Sequence, residues 1–416
     1  MRGPGSGGLP ELATLFAPLA GFGRIGLAVS GGPDSLALLV LAAQWAANDP
    51  SRSLTVFTVD HGLRPEAAGE AEMVCAEAGK LGLACHVLTW LGEKPETGLQ
   101  AAARSARYRL IGEAMRKDGI EVLVTAHHAD DQAETVLMRM AHGSGLSGLG
   151  AMGSISEIEG IPVCRPLLGV TGDVLARVTR EAGLTPANDP SNADLGYERV
   201  RWRQALPAFA GLGLDAGRLA EFASRARRAD AALSRVAATA FDELTKTDGF
   251  GAITLARPAF DALDAEIGLR VLAEGLRRAG GARRPYSLRP VEDLHDALRN
   301  GSATTRTLSG VLIRAGAQRV ILTREPGRME VAPMVVRAGE TVVWDGRFEI
   351  SLRQGAADVQ VRPAGELTRR DVEALIGIDY AGQMSAARTA PHLLDMQQGT
   401  LGLGCHMVTR TEDVKV

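Results

Sequence analysis

Six residues, Ser30-Gly31-Gly32-Pro33-Asp34-Ser35, stand between an apolar run and a helical pattern. Two glycines let the backbone turn sharply and aim its N–H groups inward. The helix that follows adds the positive end of its dipole, and Ser30 and Ser35 add hydroxyls. Such a loop can cradle a phosphate-like anion with no bulky side chain in the way. It is not a Walker A loop, because it lacks the G-K-[ST] ending and has no lysine. Asp34 would repel a bare phosphate, but it fits if it holds a magnesium ion that bridges phosphates. The plainer alternative is a Gly-Pro turn with Asp34 capping the helix.

Three further clusters follow. VDHGLRPEA puts Asp60, His61 and Arg64 just after a second apolar run. In GLQAAARSARYRL, Arg104 and Arg107 are three apart on one helical face, a spacing suited to phosphate or carboxylate recognition. TAHHADDQAETVLMRM places His127, His128, Asp130, Asp131 and Glu134 between a strand end and the first turn of a helix. Capping and the helix dipole explain one acid there, not three acids and two histidines. Asp131 and Glu134 point the same way and could bind a cationic amine or magnesium, and a carboxylate or histidine could accept a proton from an attacking amine. A zinc site built on an H-x-x-x-D pattern lacks a clear third ligand. Farther on, NDPSNADLGYERVRWRQALP leads from a polar loop into a basic helix. There Arg199, Arg201 and Arg203 alternate with Trp202, which suits a polynucleotide backbone.

The elements that must position these residues are legible. Apolar runs at Ile25–Val29, Leu54–Val59, Ala84–Trp90 and Val122–Thr125 alternate with helical patterns at Ser35–Trp45, Glu66–Leu81, Gly98–Arg116 and Asp130–Ala141. Continuous apolar strands alternating with helices predict a doubly wound α/β domain, with a parallel sheet covered on both faces. Ligands in such sheets sit beyond the carboxyl ends of the strands, where the clusters at Ser30–Ser35, Asp60–Arg64 and His127–Glu134 fall. The five-glycine stretch His142–Ser154 reads as a flexible loop near that edge. Helical patterns follow from Leu214 to about Leu244, then at Pro258–Leu263, Ile267–Ala279 and Pro290–Leu298. Strands are predicted at Thr305–Arg314 and Gln318–Thr323. Asp345-Gly346 between Thr341–Trp344 and Arg347–Leu352 signals a hairpin.

The 416 residues, with 45% hydrophobic and 23% charged, suit an ordinary globular chain of two or three domains. A net charge of -3 means that any nucleic-acid partner must be held by local basic patches. The four cysteines, Cys75, Cys85, Cys164 and Cys405, form no C-x-x-C pair and read as reduced thiols of a cytoplasmic protein. No apolar run is long enough for a membrane span, and the opening MRGPGSGGLPELATLF lacks a signal-peptide core and reads as a loose tail before a short helix.

With these residues in hand, the chain resembles the tRNA(Ile)-lysidine synthases, within the N-type ATP pyrophosphatases of the adenine nucleotide alpha hydrolase-like fold. SGGPDS matches the pyrophosphatase loop of the whole superfamily. The narrower matches are VDHGLR, ARSARY, HHADDQAET, RPLL at Arg165–Leu168, and DPSN followed by Arg199 and Arg203, over about residues 25–207. WDGRFEI is similar to the start of the family's small C-terminal domain. The chain departs from the pattern at Val200, where the family usually has asparagine.

The resemblance implies a catalytic domain at 1–212, a mainly helical tRNA-binding domain at 213–330 and a small mixed α+β tRNA-binding domain at 331–416. It implies that ATP is attacked by the wobble cytidine of the CAU anticodon of tRNA(Ile), releasing pyrophosphate, and that free L-lysine then displaces AMP to give lysidine. It further implies ATP contacts from Ser30, Gly31, Gly32, Pro33, Asp34, Ser35, Asp60, His61 and His127. Asp34 would hold magnesium, Arg104 and Arg107 would balance phosphate charge, Asp131 and Glu134 would bind and deprotonate lysine, and Arg199 and Arg203 would contact tRNA. A cytoplasmic enzyme is implied, and a homodimer is compatible with the resemblance.

Three other functions fit parts of the sequence. Thiolation of tRNA on the same fold needs catalytic cysteines or an iron–sulfur cluster, against which the absence of C-x-x-C argues. Amide formation on a small molecule would leave the long basic helices without a purpose. A catalytically dead RNA-binding module would not keep every acid and loop residue. Arg225, Arg227, Arg228, Arg277, Arg278, Arg283 and Arg284 offer the basic patches expected for RNA.

Overall fold

The apolar runs become the strands that organise the first part of the chain. The computed structural model describes residues 8–187, 194–281, 287–301, 303–329, 331–376, 384–395, 399–403 and 408–410. The chain divides into two compact units, Met1–Asp230 and Ala231–Val416.

In the first unit a short helix α1 (Leu12–Leu15) precedes β1 (Arg24–Ala28), α2 (Pro33–Ala46), β2 (Ser53–Asp60), α3 (Ala67–Lys80), β3 (Ala84–Thr89), α4 (Leu99–Asp118), β4 (Val122–Val124) and α5 (Ala129–Ala141). Then come α6 (Leu146–Leu149), β5 (Ile155–Ile158), β6 (Ile161–Cys164), α7 (Gly172–Glu181), α8 (Glu198–Gly211) and the long α9 (Ala216–Leu244), which crosses the unit boundary. The sheet order is β3-β2-β1-β4-β6-β5, parallel except for β5 at the edge. Ile25 pairs with both Leu54 and Val122. The central strand is therefore walled by apolar neighbours, as expected when both faces are covered. Helix α2 is apolar nearly all round, and Leu36, Leu38, Leu39 and Leu41 are all buried, the pattern of a helix sunk in a core rather than lying on one.

The second unit has three antiparallel sheets among the described residues. The first, in order β7-β8-β11-β10-β9, comprises β7 (Thr245–Thr247), β8 (Ile253–Ala256), β9 (Thr304–Leu308), β10 (Val311–Ala315) and β11 (Arg319–Arg324). It packs with α10 (Arg257–Asp261), α11 (Ala265–Gly280) and α12 (Leu288–Arg299) around Phe260, Val271, Leu276, Leu294 and Ile313. The second sheet joins β12 (Met334–Val336), β15 (Val359–Pro363), β16 (Pro391–Asp395) and β17 (Gly399–Leu403). The third joins β13 (Thr341–Trp344), β14 (Phe348–Ser351) and β18 (Val408–Arg410). With α13 (Arg369–Ile376) and α14 (Met384–Ala387) these two form a separate core around Trp344, Phe348, Val361 and Val372.

The Asp345-Gly346 hairpin is present. Trp344 pairs with Phe348, and Asp345 and Gly346 have φ of 50° and 65°, as a turn matched to strand twist requires. The single strand expected over Thr305–Arg314 is instead a hairpin, because Ser309 and Gly310 both take positive φ and reverse the chain between β9 and β10.

Two other expectations are corrected. Cys75 and Cys85 are joined in a disulfide rather than standing as separate thiols. Packing of α3 beside β3 brings their Cα atoms to 5.4 Å, a proximity that motif spacing does not reveal. Cys164 is a buried free thiol, and Cys405 lies outside the described residues, as do Arg283, Arg284 and the Asn188–Asn192 stretch. The stretch His142–Ser154 is not a free loop. It contains α6, and side chains from three other elements hold its carbonyls. Among the described residues no helix is long and apolar enough to cross a membrane.

Candidate active site

The strand order places the site. From β1 the chain moves outward to β2 and β3, then returns to β4 on the other side of β1. That reversal opens a crevice beyond the carboxyl ends of β1 and β4, where doubly wound sheets bind ligands. Ser30–Ser35 leave β1 there, and Thr125–Asp131 leave β4.

Gly31 has φ +84°, and a Cβ added to it would meet Met73, Val74 and Ala187 at 3.3–3.4 Å, so both conformation and space call for glycine. Its carbonyl accepts from the Ala187 N–H at 2.9 Å, and Thr179 of α7 donates to the Pro33 carbonyl at 2.7 Å. The buried Ser35 hydroxyl donates to the Gly32 carbonyl at 2.9 Å and accepts from the Ser30 N–H at 3.2 Å. Ser35 therefore braces the turn from inside, while Ser30, Gly32, Pro33 and Asp34 reach the surface.

His128 belongs to the TAHHADDQAET cluster but has no assigned role in the sequence reading, and it ties the two sides of the crevice together. It N-caps α5, with its N–H bound to Asp131 Oδ2 at 3.0 Å. Its ring lies between carboxylates, Nδ1 being 3.2 Å from Asp130 Oδ2 and Nε2 3.4 Å from Asp34 Oδ2. Burial opposes its charge, but the bonds to Asp130 and Asp34 and the charge of Asp131 outweigh it and raise the imidazolium pKa to about 10. A doubly protonated ring has no lone pair for the Asp130 N–H, so both nitrogens donate. The sequence signal was available: an extended polar residue just before an acid-rich first turn.

His127 turns the other way and shares a 2.8 Å hydrogen bond with Thr125 Oγ1. Burial, opposed by Asp131 but aided by Arg165 and Arg199, lowers its pKa to about 4, so it is neutral.

The acids and arginines expected to serve different partners meet. Arg199 of α8 donates to Asp131 Oδ1 at 2.5 Å and to Glu134 Oε2 at 2.6 Å, and Arg203 donates to Glu134 Oε1 at 2.6 Å. Glu134 is 0% exposed, whereas Arg199 and Arg203 are 40% and 46% exposed. Asp131 and Glu134 therefore do not present open carboxylates here. The two guanidinium groups, one α-helical turn apart, hold them.

At the end of β2, Asp60 accepts the Gly62 N–H at 2.8 Å and His61 Nε2 lies 3.3 Å from Arg107 Nη2. Burial and the adjacent Arg107 charge lower the His61 pKa to about 4, so the neutral ring accepts from Arg107. The hydrogen then sits on Nδ1, which is buried without a hydrogen-bond partner among the described residues. Arg104 stacks over Tyr108, 5.0 Å from the ring centre, so the two arginines of α4 take different partners. Arg64 is engaged by Glu70. A groove of about 430 Å³ beside α4, lined by Trp90, Tyr108, Arg109, Arg116 and Glu159, contains none of the residues predicted for the site.

The region that carries this geometry matches a family model. Residues 10–208 match the PP-loop domain. Over 351 residues the chain is 42% identical to a tRNA(Ile)-lysidine synthase of Bradyrhizobium, covering 79% of this chain and 96% of that protein. It is 44% identical to the synthase of Rhodopseudomonas palustris (76% and 95% covered) and 39% identical to that of Ruegeria pomeroyi (85% and 84%). The chain belongs to the tRNA(Ile)-lysidine synthase family. It is thus an ATP-dependent ligase of tRNA modification. The matched PP-loop domain spans the Ser30–Ser35 cradle, the acids of α5 and Arg199 and Arg203 of α8.

Of the arginines expected in basic patches, Arg225 and Arg228 are exposed on α9, with Arg225 paired to Glu221. Arg227 turns inward, and Arg277 and Arg278 pair with Glu274.

Proposed function

We propose that this chain joins free L-lysine to carbon-2 of the wobble cytidine in the CAU anticodon of tRNA(Ile), with cleavage of ATP to AMP and pyrophosphate. The observation that carries the reading is the link Asp34–His128–Asp131, which puts the anion cradle and the acidic helix in one crevice of a chain from this family.

In the first step the cytosine O2 attacks the α-phosphorus as the bond to pyrophosphate breaks. The N–H groups of Gly31 and Gly32 and the Ser30 hydroxyl receive the leaving phosphates. Arg104 and Arg107 offset their charge, and Asp60, His61 and His127 line the nucleotide. Magnesium fits Asp34. Among the described residues no group of three or more acids, histidines or cysteines forms a metal cage, and this ion commonly takes one or two carboxylates plus substrate phosphates. Asp34 has one oxygen toward His128 and keeps the other available.

In the second step the lysine ε-nitrogen attacks carbon-2 and the bond to AMP breaks. The amine must first lose a proton, and Asp131 is the nearby acceptor. An ammonium is the same kind of partner as a guanidinium, so lysine can take the place of Arg199 on Asp131. That would leave Glu134 holding Arg203 and would turn the Arg199 guanidinium toward RNA. Residues 213–330 and 331–416 would add the remaining RNA contacts, and the reaction belongs in the cytoplasm. The test is ATP cleavage by the purified protein: AMP and pyrophosphate form when both lysine and tRNA(Ile) are present. Cleavage indifferent to the RNA contradicts the reading.

RNA affinity should depend steeply on salt. A net charge of -3 leaves binding to local arginines. If about three phosphates are neutralised, affinity falls roughly tenfold or more between about 50 and 200 mM salt. A filter-binding titration checks this, and a flat response would mean that few phosphates are contacted.

A further inference from the structure

The stretch His142–Ser154, with five glycines, has few side chains with which to pack, yet its backbone is bound almost residue by residue. Gln132 of α5 donates to the Met152 carbonyl and accepts its N–H, both at 2.8 Å. Arg139, also of α5, donates to the Gly148 and Ala151 carbonyls at 2.6 and 3.2 Å. Arg165, at the carboxyl end of β6, donates to the Gly153 carbonyl at 3.0 Å. Arg227 of α9 donates to the carbonyls of both Gly150 and Met152, and Ser147 donates to Asp230 of the same helix at 2.5 Å.

Two features indicate more than ordinary loop packing. Ala151 holds φ +49°, a conformation that a non-glycine residue keeps only when its surroundings enforce it. Arg139, Arg165 and Arg227 have no carboxylate in ion-pair range among the described residues. Partly burying guanidinium charge without a carboxylate is costly, and here carbonyls of the stretch, with the Ser156 hydroxyl on Arg165, are the groups that hold it.

The location is also specific. Gln132 sits between Asp131 and Glu134, so Met152 is fixed against the first turn of α5. Ala151 packs with Ala133, Val136, Ala223 and Trp202 in a small core shared by α5, α8 and α9.

We propose that Arg227, together with Gln132, is a positioning residue that fixes Gly148–Gly153 as the wall of the crevice beside Asp131 and Glu134, holding acceptor base and amine in register. This rests on the lysine-ligating reading above. Arg227 touches no substrate. It acts through the Gly150 and Met152 carbonyls, which no apolar or shorter side chain at that position can hold together.

The test compares full-length wild type with Arg227→Ala and Arg227→Lys. Misplacement of reacting groups by about an ångström lowers rates on the order of 100-fold. Arg227→Ala should therefore lower kcat for lysine transfer about 10- to 100-fold, with KM for ATP within about twofold of wild type. Arg227→Lys, which can reach one carbonyl, should fall in between. Hydrogen exchange of amides 148–153 should quicken in Arg227→Ala while that of β1 and β4 does not change. A kcat within twofold of wild type, or a loss matched by the fraction unfolded, overturns the proposal. If wild type transfers no lysine, the functional reading fails instead, and exchange still decides: unchanged exchange at 148–153 overturns the clamp.

Discussion

Asp34→Ala should reduce RNA-dependent pyrophosphate release to background. Asp34 is the acid of the Ser30–Ser35 cradle, and it also receives the His128 imidazolium at 3.4 Å. Removing it takes away the carboxylate proposed for magnesium and unties α5 from the cradle. Loss of one preorganised electrostatic contact commonly lowers a rate about 10²–10³-fold, and here two are lost together. The side chain is more than a third exposed, so the fold should survive. Pyrophosphate release and a thermal melt on the same sample check this. Near-normal release from a folded variant would remove Asp34 from the chemistry.

Asp131→Asn and Glu134→Gln should separate the two steps. Both keep the shape of the side chain and remove its charge. Asp131→Asn should leave pyrophosphate release partly intact and lower lysine transfer about 10²–10³-fold, because the amine loses its proton acceptor. Glu134→Gln carries an added structural effect, since Glu134 is fully buried and holds both Arg199 and Arg203. Replacing a charge-assisted pair with a neutral contact costs about 1–3 kcal/mol of stability, reduced by the exposure of the two arginines. It should therefore lower the melting temperature as well as lysine transfer. Pyrophosphate release and lysine incorporation are followed separately for each variant. Equal losses in both steps would move these acids to the nucleotide side of the crevice.

The first unit was legible because β1, β2 and β4 are largely buried on both faces and therefore read as unbroken apolar runs. The four runs become β1 to β4, each within a residue or so of its expected bounds. The clusters after them fall at the carboxyl edge because chain direction alone decides that. The short β5–β6 hairpin was not recognised, since four-residue strands at a sheet edge carry little periodicity.

Contacts between distant segments were not legible either. Arg199 lies 65 residues from Glu134 and reads by itself as a solvated basic face, yet it is the partner of both acids. Cys75 and Cys85 meet only because α3 packs beside β3. The glycine stretch read as flexible because glycine lacks its own contacts, whereas its order comes from side chains on α5 and α9 and from Arg165 just after β6. His128 is visible in its cluster but its role is not, because that role depends on Asp34, ninety-four residues away in sequence.

The central claim is tested most directly by the product. Purified protein is incubated with ATP, isotopically labelled lysine and a CAU-anticodon tRNA(Ile), and the RNA is digested to nucleosides for mass analysis. The account predicts label in a single cytidine-derived nucleoside at the wobble position, heavier by one lysine less water, with one AMP and one pyrophosphate formed per lysine joined. An unlabelled RNA alongside ATP cleavage, or label at a position other than the wobble cytidine, would contradict it.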